Sequence, residues 1–185
     1  MLQDEYGTRP VKNYDDMVGK VDGILVSSLE SIDYFPELVE PYLKAGMPVF
    51  INRPFASSMR DAKRMVEMSK RYDAPIMTGS SLEYVNEVYV MKRLLREAGN
   101  PIISGINAHN SSTDYSNHAI HGMWMILEMF GGGIEYVSAH LSNGTPFSHH
   151  SLCLLMKYKA RGEEQPPFFA CVQNCPNPIT AQGRI

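Results

Sequence analysis

The sequence predicts an α/β fold in two parts: a parallel sheet up to about residue 80, then an α+β part with a mainly antiparallel open sheet. Three short apolar runs rich in β-branched residues, at 21–28, 48–52 and 74–80, alternate with helical patterns of ten or more residues. Helices of that length between strands indicate parallel pairing through right-handed crossovers. After residue 80 three strand-like runs follow one another without an intervening helix, which favours antiparallel pairing.

The two helices of the first part carry start and stop signals. An apolar stripe at helical spacing predicts the first helix, and it comprises Phe35, Leu38, Val39, Tyr42 and Leu43. Gly46 is placed to end this helix, and Pro41 within it should remove a hydrogen bond and bend the axis. The second helix opens with Ser58 and Asp61 at capping-box spacing. Its inward face is predicted to carry Ala62, Met65 and Val66.

The second part mixes helices and strands. A helix is expected over 81–101 and a strand over 102–110. A further helix is expected over about 116–130, where three consecutive glycines end the pattern. The strand-like runs that come after it are IEYVSAHLSN, SLCLLMKYKA and PFFACVQNC. The sequence thus predicts two unequal domains, residues 1–80 and residues 81–185.

The composition is that of an ordinary globular protein. Apolar residues make up 44% and charged residues 20% of the 185 positions, and the net charge is −3. This balance gives the protein no overall electrostatic attraction to nucleic acid or to an anionic membrane. No apolar run approaches the roughly 18 residues that cross a bilayer, and the N-terminus does not read as a signal peptide. With an odd count of three cysteines, we expect a cytoplasmic protein without a disulfide framework.

Polar residues follow the three predicted strands, at the edge where ligands bind in open α/β sheets. They are Ser27, Ser28, Leu29 and Glu30, then Asn52, Arg53 and Pro54, then Gly79, Ser80 and Ser81. A purely structural explanation exists, because strands end in turns and Ser, Asn and Pro are turn residues. Arg53 favours a ligand site, since a turn has no need of a guanidinium held stiffly by the following proline.

The helix over 116–130 offers a second candidate. Its polar line comprises Asn117, His121, Met125 and Glu128, each of which lies within about 40° of one line along the helix. His121 falls at the border of the apolar stripe, where an imidazole can act as a general acid or base. The alternative is a histidine that is simply satisfied within the core.

A metal site is a further alternative in the second part. Its candidate ligands are Cys153, Cys171, Cys175, His140, His149 and His150. Cys171 and Cys175 are separated by three residues instead of the usual two, and a second cysteine pair is lacking. On a strand these two residues share a face, which core packing explains, so we expect no metal site.

The stretch from Val21 to Val85, and above all AGMPVFINRPFASSMRDAKRMVEMSKR within it, resembles the later half, that is the C-terminal half, of the nucleotide-binding domain of the Gfo/Idh/MocA oxidoreductases. In that family a Rossmann domain is joined to an α/β domain whose open sheet carries substrate binding and oligomer contacts. The segment with His121, followed by glycine and IEYVSAH, is similar to the family's segment that bears an aspartate and, four residues later, a catalytic histidine.

The resemblance implies catalytic positions. Arg53 stands where the family has its catalytic lysine, and a guanidinium keeps its proton where an amine could exchange one. Asn117 stands at the aspartate position and cannot serve as a carboxylate base. His121 matches the catalytic histidine. Glu83 and Tyr84 are the substrate-binding residues that the resemblance implies.

The cofactor implied is NAD or NADP. The residues expected on the nicotinamide side are Ser27, Ser28, Leu29, Glu30, Asn52, Arg53 and Pro54. The family's first βαβ unit, with the Gly-rich loop that binds pyrophosphate, does not occur in this sequence. We therefore expect a partial Rossmann-like sheet that by itself binds a dinucleotide poorly.

Two functions remain open from the sequence. The first is a partial NAD(P)-dependent oxidoreductase acting on a sugar or polyol-like substrate. The alternative is a non-catalytic relative that serves as a binding or assembly module, because fold alone does not carry function. The partners expected are a small-molecule substrate and further copies of the chain bound through the open sheet, with neither nucleic acid nor membrane.

Overall fold

The computed structural model describes residues 2–28, 30–99, 104–109, 115–141, 152–162 and 165–174. Contacts divide the chain into two compact units, which we call the N-terminal unit, Met1–Gly79, and the C-terminal unit, Ser80–Ile185.

The N-terminal unit contains three short strands, two crossover helices and a short first helix. Their bounds are α1 Leu2–Tyr6, β1 Ile24–Val26, α2 Phe35–Lys44, β2 Val49–Asn52, α3 Met59–Tyr72 and β3 Ile76–Gly79, with a 3₁₀ turn at Ile32–Tyr34. The strands lie in the order β1-β2-β3, and both neighbouring pairs are parallel. The parallel sheet predicted from the alternating pattern is therefore confirmed.

The core of this unit lies between the sheet and the two helices. Val39 and Leu43 of α2, Ile51 of β2 and Met65 of α3 are fully buried. The stripe predicted on the first helix is confirmed, and the chain leaves the helix at Gly46, whose φ of +72° is the left-handed region that glycine accepts.

The predicted inward face of α3 is partly wrong. Met65 is buried as expected, but Val66 is 37% exposed. Asp61 takes an inward place instead, because its carboxylate is held at the helix start by the Ser58 hydroxyl at 2.6 Å. The N-cap contact turns a polar residue towards the core side of the first turn.

The other face of the N-terminal sheet is apolar and open. Leu25, Phe50 and Met77 lie side by side in register across the three strands. Leu25 is 67% exposed and Met77 is 51% exposed. They line a cavity of about 440 Å³ together with Pro48 and Pro75.

The C-terminal unit is an α+β arrangement. Its elements are a 3₁₀ helix Ser81–Tyr84, α4 Asn86–Glu97, β4 Ser104–His109, α5 Tyr115–Phe130, β5 Ile134–Leu141, β6 Leu152–Tyr158 and β7 Phe168–Asn174. The sheet order is β4-β7-β6-β5. Strands β5, β6 and β7 pair antiparallel, whereas β4 pairs parallel with β7. The predicted mainly antiparallel sheet is confirmed.

The core of the C-terminal unit is aromatic. The rings of Tyr158 and Phe168 stack at 4.6 Å with an interplanar angle of 6°, and Phe130 of α5 meets both edge-on. The Arg161 guanidinium lies 5.5 Å from the centre of the Tyr158 ring and donates to the carbonyls of Phe130 and Gly132. These contacts close the end of α5 against the sheet.

The single helix predicted over 81–101 is divided in the structure. A 3₁₀ helix occupies Ser81–Tyr84, Val85 is extended with φ −71° and ψ 146°, and α4 begins at Asn86. The division has a local cause, because the Ser80 hydroxyl accepts the Leu82 main-chain N–H at 3.2 Å and tightens the first turn. Within the described residues no helix is long and apolar enough to cross a membrane.

Candidate functional site

The carboxyl ends of β1 and β2 bring two predicted residues together. Because the strands are parallel, their ends meet at one edge of the sheet. There the Asn52 side-chain amide donates to the Ser27 hydroxyl at 3.1 Å. Ser28 is engaged elsewhere, with its hydroxyl 3.2 Å from that of Ser31. The ends of β1 and β2 therefore form a small polar rim, which consists of Ser27 and Asn52.

The remaining residues predicted on this edge differ in their surroundings. Arg53 and Pro54 follow β2 directly, are half-buried and are joined by a cis peptide bond. Glu30 is exposed, and Leu29 lies outside the described residues. Arg53 thus leaves the sheet at the same edge as the rim, as predicted from its position after the strand.

The helix starts of the N-terminal unit do not fit a dinucleotide pyrophosphate. At α3 the Ser58 hydroxyl already accepts the Asp61 main-chain N–H at 3.1 Å. Hydrogen bonds from Ser58 and Arg60 lower the pKa of the Asp61 carboxyl, so this helix start carries a negative charge. The start of α2 has Pro36, which lacks an N–H, followed by Glu37. An anion needs free amides and positive potential at a helix start, and neither helix provides them.

His121 is held by a buried hydroxyl in the C-terminal unit. Its Nδ1 lies 2.5 Å from Ser80 Oγ, and Ser80 is only 2% exposed. The same hydroxyl also receives the Leu82 N–H, so its position is fixed from two directions. The contact orients the imidazole.

Glu83 projects from the same side of the 3₁₀ helix as Ser80, since residues three apart superpose along such a helix. Its main-chain N–H donates to the Ser80 carbonyl at 3.1 Å. The Glu83 side chain is 5% exposed, and among the described residues its Oε1 has no hydrogen-bond partner. A hydrogen bond to Glu83 raises the pKa of Tyr84, so the two residues predicted to bind substrate contact each other.

The polar line predicted on α5 faces the 3₁₀ helix and α4. His121 contacts Ser80, and about two turns later Glu128 pairs with Lys92 of α4 at 2.5 Å. Asn117 lies on α5 one turn before His121, and its side chain is outside the described residues. The line therefore combines one candidate catalytic group with an ordinary interhelical ion pair.

Two of the three cysteines meet on the sheet. Cys153 Sγ lies 3.1 Å from Cys171 Sγ, and both are free thiols. In the described part of the chain, His, Cys, Asp and Glu side chains form no group of three that could hold a metal ion. Cys175, His149 and His150 fall outside that part.

Ser80 is the residue that sequence reasoning underestimated. In the sequence it stands with Gly79 and Ser81 among the polar residues that follow the predicted strands. The signal available was weak, because a serine before a helical turn is an ordinary cap. Its partner His121 is 41 residues further along the chain, and no local pattern links the two.

Comparison with known proteins supports the fold and the class. Residues 1–80 match the model of the Gfo/Idh/MocA family, described as an oxidoreductase family with an NAD-binding Rossmann fold. An uncharacterised oxidoreductase of Streptococcus pneumoniae is 24% identical over 159 residues, which covers 74% of this chain and 42% of the relative.

Two solved structures share the architecture. A protein assigned as a dehydrogenase from Thermotoga maritima superposes with a TM-score of 0.78 at 19% identity, covering 95% of this chain and 57% of that one. A protein assigned as a myo-inositol dehydrogenase from Sinorhizobium meliloti gives 0.75 at 13% identity, covering 94% and 56%. At such identities the likeness shows the fold alone.

The chain spans less than half the length of the Streptococcus pneumoniae relative and somewhat more than half of these two structures. The parallel sheet of the N-terminal unit and the match over residues 1–80 agree with each other. The N-terminal part of this chain therefore carries the signature of the Gfo/Idh/MocA oxidoreductases, and the resemblance inferred from the sequence is confirmed.

Proposed function

We propose that the chain is part of an NAD(P)-dependent oxidoreductase that acts on a sugar or polyol-like substrate, with His121 as the proton acceptor. The observation that carries the proposal is the contact between His121 Nδ1 and the buried hydroxyl of Ser80. The oxidoreductase class is supported by the family match. The substrate class is supported by the chemistry of Glu83 and Tyr84.

Oxidation of an alcohol requires a base for the hydroxyl proton. A positioned general base contributes about 10²- to 10⁴-fold to rate, and it acts well only when its ring is oriented. Ser80 supplies that orientation from a rigid position between the Leu82 N–H and the imidazole. A histidine suits proton exchange near neutral pH, and His121 is a histidine that the buried Ser80 hydroxyl contacts.

Arg53 and Asn117 take supporting roles in this proposal. A guanidinium remains protonated at any physiological pH, so Arg53 binds a hydroxyl or carboxylate oxygen without relaying its proton. Asn117 offers an amide in place of a carboxylate and can only hydrogen-bond. Proton transfer is therefore left to His121, which makes its substitution the decisive test.

Glu83 supports a polyhydroxylated substrate. A buried carboxylate oxygen without a partner is unfavourable, and a hydroxyl of a ligand would satisfy it. The Oε1 atom of Glu83 is in that condition among the described residues. Tyr84, which contacts the same carboxylate and is half-exposed, provides a second hydroxyl for a polyol. One solved relative is assigned to myo-inositol, so cyclic polyols are the first substrates to try.

The cofactor side of the proposal rests on the N-terminal unit. The rim made by Ser27 and Asn52, with Arg53 beside it in sequence, supplies polar groups for the nicotinamide side. The starts of α2 and α3 do not suit the pyrophosphate, so that contact must come from residues other than these. Either NAD or NADP is compatible with the rim.

Assembly is the remaining element of the proposal. The face of the C-terminal sheet turned away from α5 exposes Tyr136 and Phe169, at 53% and 46%. Apolar area of this kind favours burial against another copy of the chain.

The test is replacement of His121 by alanine in the full-length protein. NAD⁺- and NADP⁺-dependent oxidation of inositols and aldoses is measured with and without added imidazole. The proposal predicts a fall in kcat of about 10²- to 10⁴-fold, unchanged cofactor affinity, and partial recovery with imidazole. A His121→Ala enzyme that retains the wild-type kcat would refute the assignment.

A second function is favoured by one group of observations. Arg53 and Asn117 replace the family's lysine and aspartate, and the start of α3 carries a carboxylate at Asp61. These features suit a non-catalytic relative that binds a ligand or a partner. Absence of NAD(H) and NADP(H) binding by the wild-type protein would favour this function.

A further inference from the structure

The two described cysteines form a close pair on adjacent antiparallel strands. In the ladder of β6 and β7, Cys153 lies opposite Gln173 and Cys171 lies opposite Leu155. The cysteines are thus diagonal neighbours, and their Sγ atoms approach to 3.1 Å. A disulfide bond is about 2.05 Å long, so the two sulfurs need to close by only about 1 Å to become bonded.

The pair lies on the face of the sheet that is turned away from the core. Ala170 and Val172, the strand neighbours of Cys171, are fully buried in the core, and alternate residues of a strand point to opposite faces. Cys153 and Cys171 are themselves half-buried. A small thiol reagent can therefore reach the sulfurs without unfolding the unit, as long as no other copy of the chain covers this face.

The surroundings hold Cys171 in its protonated thiol form. Burial, then the hydrogen bond with Cys153, raises the pKa of Cys171 to about 11. Since the thiolate is the nucleophile in exchange, Cys171 does not start the reaction at neutral pH. Cys153 therefore makes the first attack on the oxidant. Cys171 then attacks the Cys153 sulfur, which lies 3.1 Å from its own Sγ.

We propose that Cys153 and Cys171 form a reversible intrachain disulfide, a redox-modification site on the outer face of the C-terminal sheet whose reagent is a low-molecular-weight disulfide such as oxidised glutathione. Cys153 loses its proton to water, and its thiolate attacks one sulfur of that disulfide, which breaks the S–S bond and expels one thiolate that takes up a proton to become the first thiol. Cys171 then attacks the Cys153 sulfur of the mixed disulfide, releasing the second thiol, which takes up the Cys171 proton. The two cysteines are oxidised, and one small disulfide is reduced to two thiols.

The bridge would change the sheet without altering its strand order. It ties β6 to β7 on a diagonal, across strands that are already paired in register. Diagonal neighbours in an antiparallel pair have Cα atoms about 7–8 Å apart, beyond the usual span of a disulfide. Oxidation therefore requires a local shift of the two strands, and the outer face that carries Tyr136 and Phe169 shifts with them.

The test uses the full-length protein incubated in glutathione buffers of rising oxidised fraction, followed by intact mass and peptide mapping after alkylation. The expected product is lighter than the reduced protein by two hydrogens and joins the peptides of Cys153 and Cys171. Cys175→Ser, the matched control, should give the same product. Cys153→Ser and Cys171→Ser should not give it.

Two results would overturn the proposal. One is a product that carries bound glutathione at every oxidised fraction and no internal bridge. The other is a bridge that involves Cys175. Should the serine variants fail to fold, differential alkylation of the wild-type protein answers the same question, because joint protection of Cys153 and Cys171 is required. The readout is a covalent mass and does not depend on the proposed enzymatic activity.

Discussion

Replacement of Ser80 by alanine separates the hydroxyl that positions His121 from the rest of the fold. The substitution removes two contacts, one with His121 Nδ1 at 2.5 Å and one with the Leu82 N–H at 3.2 Å. Because only the hydroxyl oxygen is lost from this buried side chain, which is 2% exposed, the substitution leaves little empty volume. The change is therefore almost purely one of hydrogen bonding.

The expected magnitude follows from these two contacts. Each hydrogen bond contributes about 0.5–1.5 kcal/mol, and buried groups left without a partner raise the loss. We expect the free energy of unfolding of the C-terminal unit to fall by about 2 kcal/mol. With a urea m-value of about 2 kcal/mol/M, the midpoint should fall by about 1 M.

The chain offers a clean probe for this measurement. Trp124 is its single tryptophan and lies on α5, three residues after His121. Urea titration followed by tryptophan fluorescence thus reports on the C-terminal unit, and ¹⁵N NMR of His121 reports on its ring tautomers. Ser80→Ala should lower the midpoint and broaden the tautomer population. Ser81→Ala, which alters an exposed neighbour, is the control and should leave both unchanged.

A Ser80→Ala variant with the urea midpoint and the His121 tautomer ratio of the wild type would contradict both expectations. That result would mean that the hydroxyl neither stabilises the turn nor orients the imidazole. A lowered midpoint with an unchanged tautomer ratio would leave Ser80 as a structural cap and contradict its positioning role.

Three further predictions concern other sites. Arg53→Lys should retain or raise kcat, because an amine returns at the position of the family's lysine; a sharp fall would mean that the guanidinium binds in a way that lysine cannot copy. Tyr158→Phe should stabilise the C-terminal unit by about 1 kcal/mol, since its buried hydroxyl has no partner among the described residues. Tyr42→Phe, which loses a hydrogen bond to a main-chain carbonyl, should destabilise the N-terminal unit by about the same amount. Urea titration of both variants measures the two changes in the free energy of unfolding, and changes of the same sign would contradict this pair of expectations. Ser58→Ala should lower stability at pH 7 by about 1 kcal/mol, and the pH profile checks its cause. The pKa of Asp61 is depressed chiefly by Ser58, so its contribution is present above the unfolded value of about 3.9 and is lost as pH falls through the folded pKa. The variant should show a shallower acid loss, and an unchanged profile would contradict the cap.

Much of the fold was predictable because its signals are local. The stripe ending before Gly46 and the cap at Ser58 fix the two helices of the N-terminal unit, and the intervening apolar runs become parallel strands. The helix over 116–130 likewise followed from its period and the glycines that end it, and begins at Tyr115 in the structure. Each of these signals lies within one or two turns of the residues that it organises.

The rest depended on contacts distant in sequence or on competition between local effects. The contact between Ser80 and His121 joins residues 41 positions apart, which single-sequence patterns do not register. The division of the expected helix at Val85 arose because the cap of the preceding turn favoured a 3₁₀ helix over a continuous α-helix. The parallel pairing of β4 with β7 could not be predicted either, because the two strands are distant in sequence.

The measurement that tests the account most directly is titration of the full-length protein with NADH and NADPH, followed by the fluorescence of the nicotinamide ring. If the protein is an NAD(P)-dependent oxidoreductase, we expect saturable binding of NADH, NADPH or both. Binding should enhance or shift the nicotinamide emission, and excess oxidised cofactor should reverse this change. Fluorescence of both cofactors that stays at the free-solution level at saturating protein would contradict the proposed function.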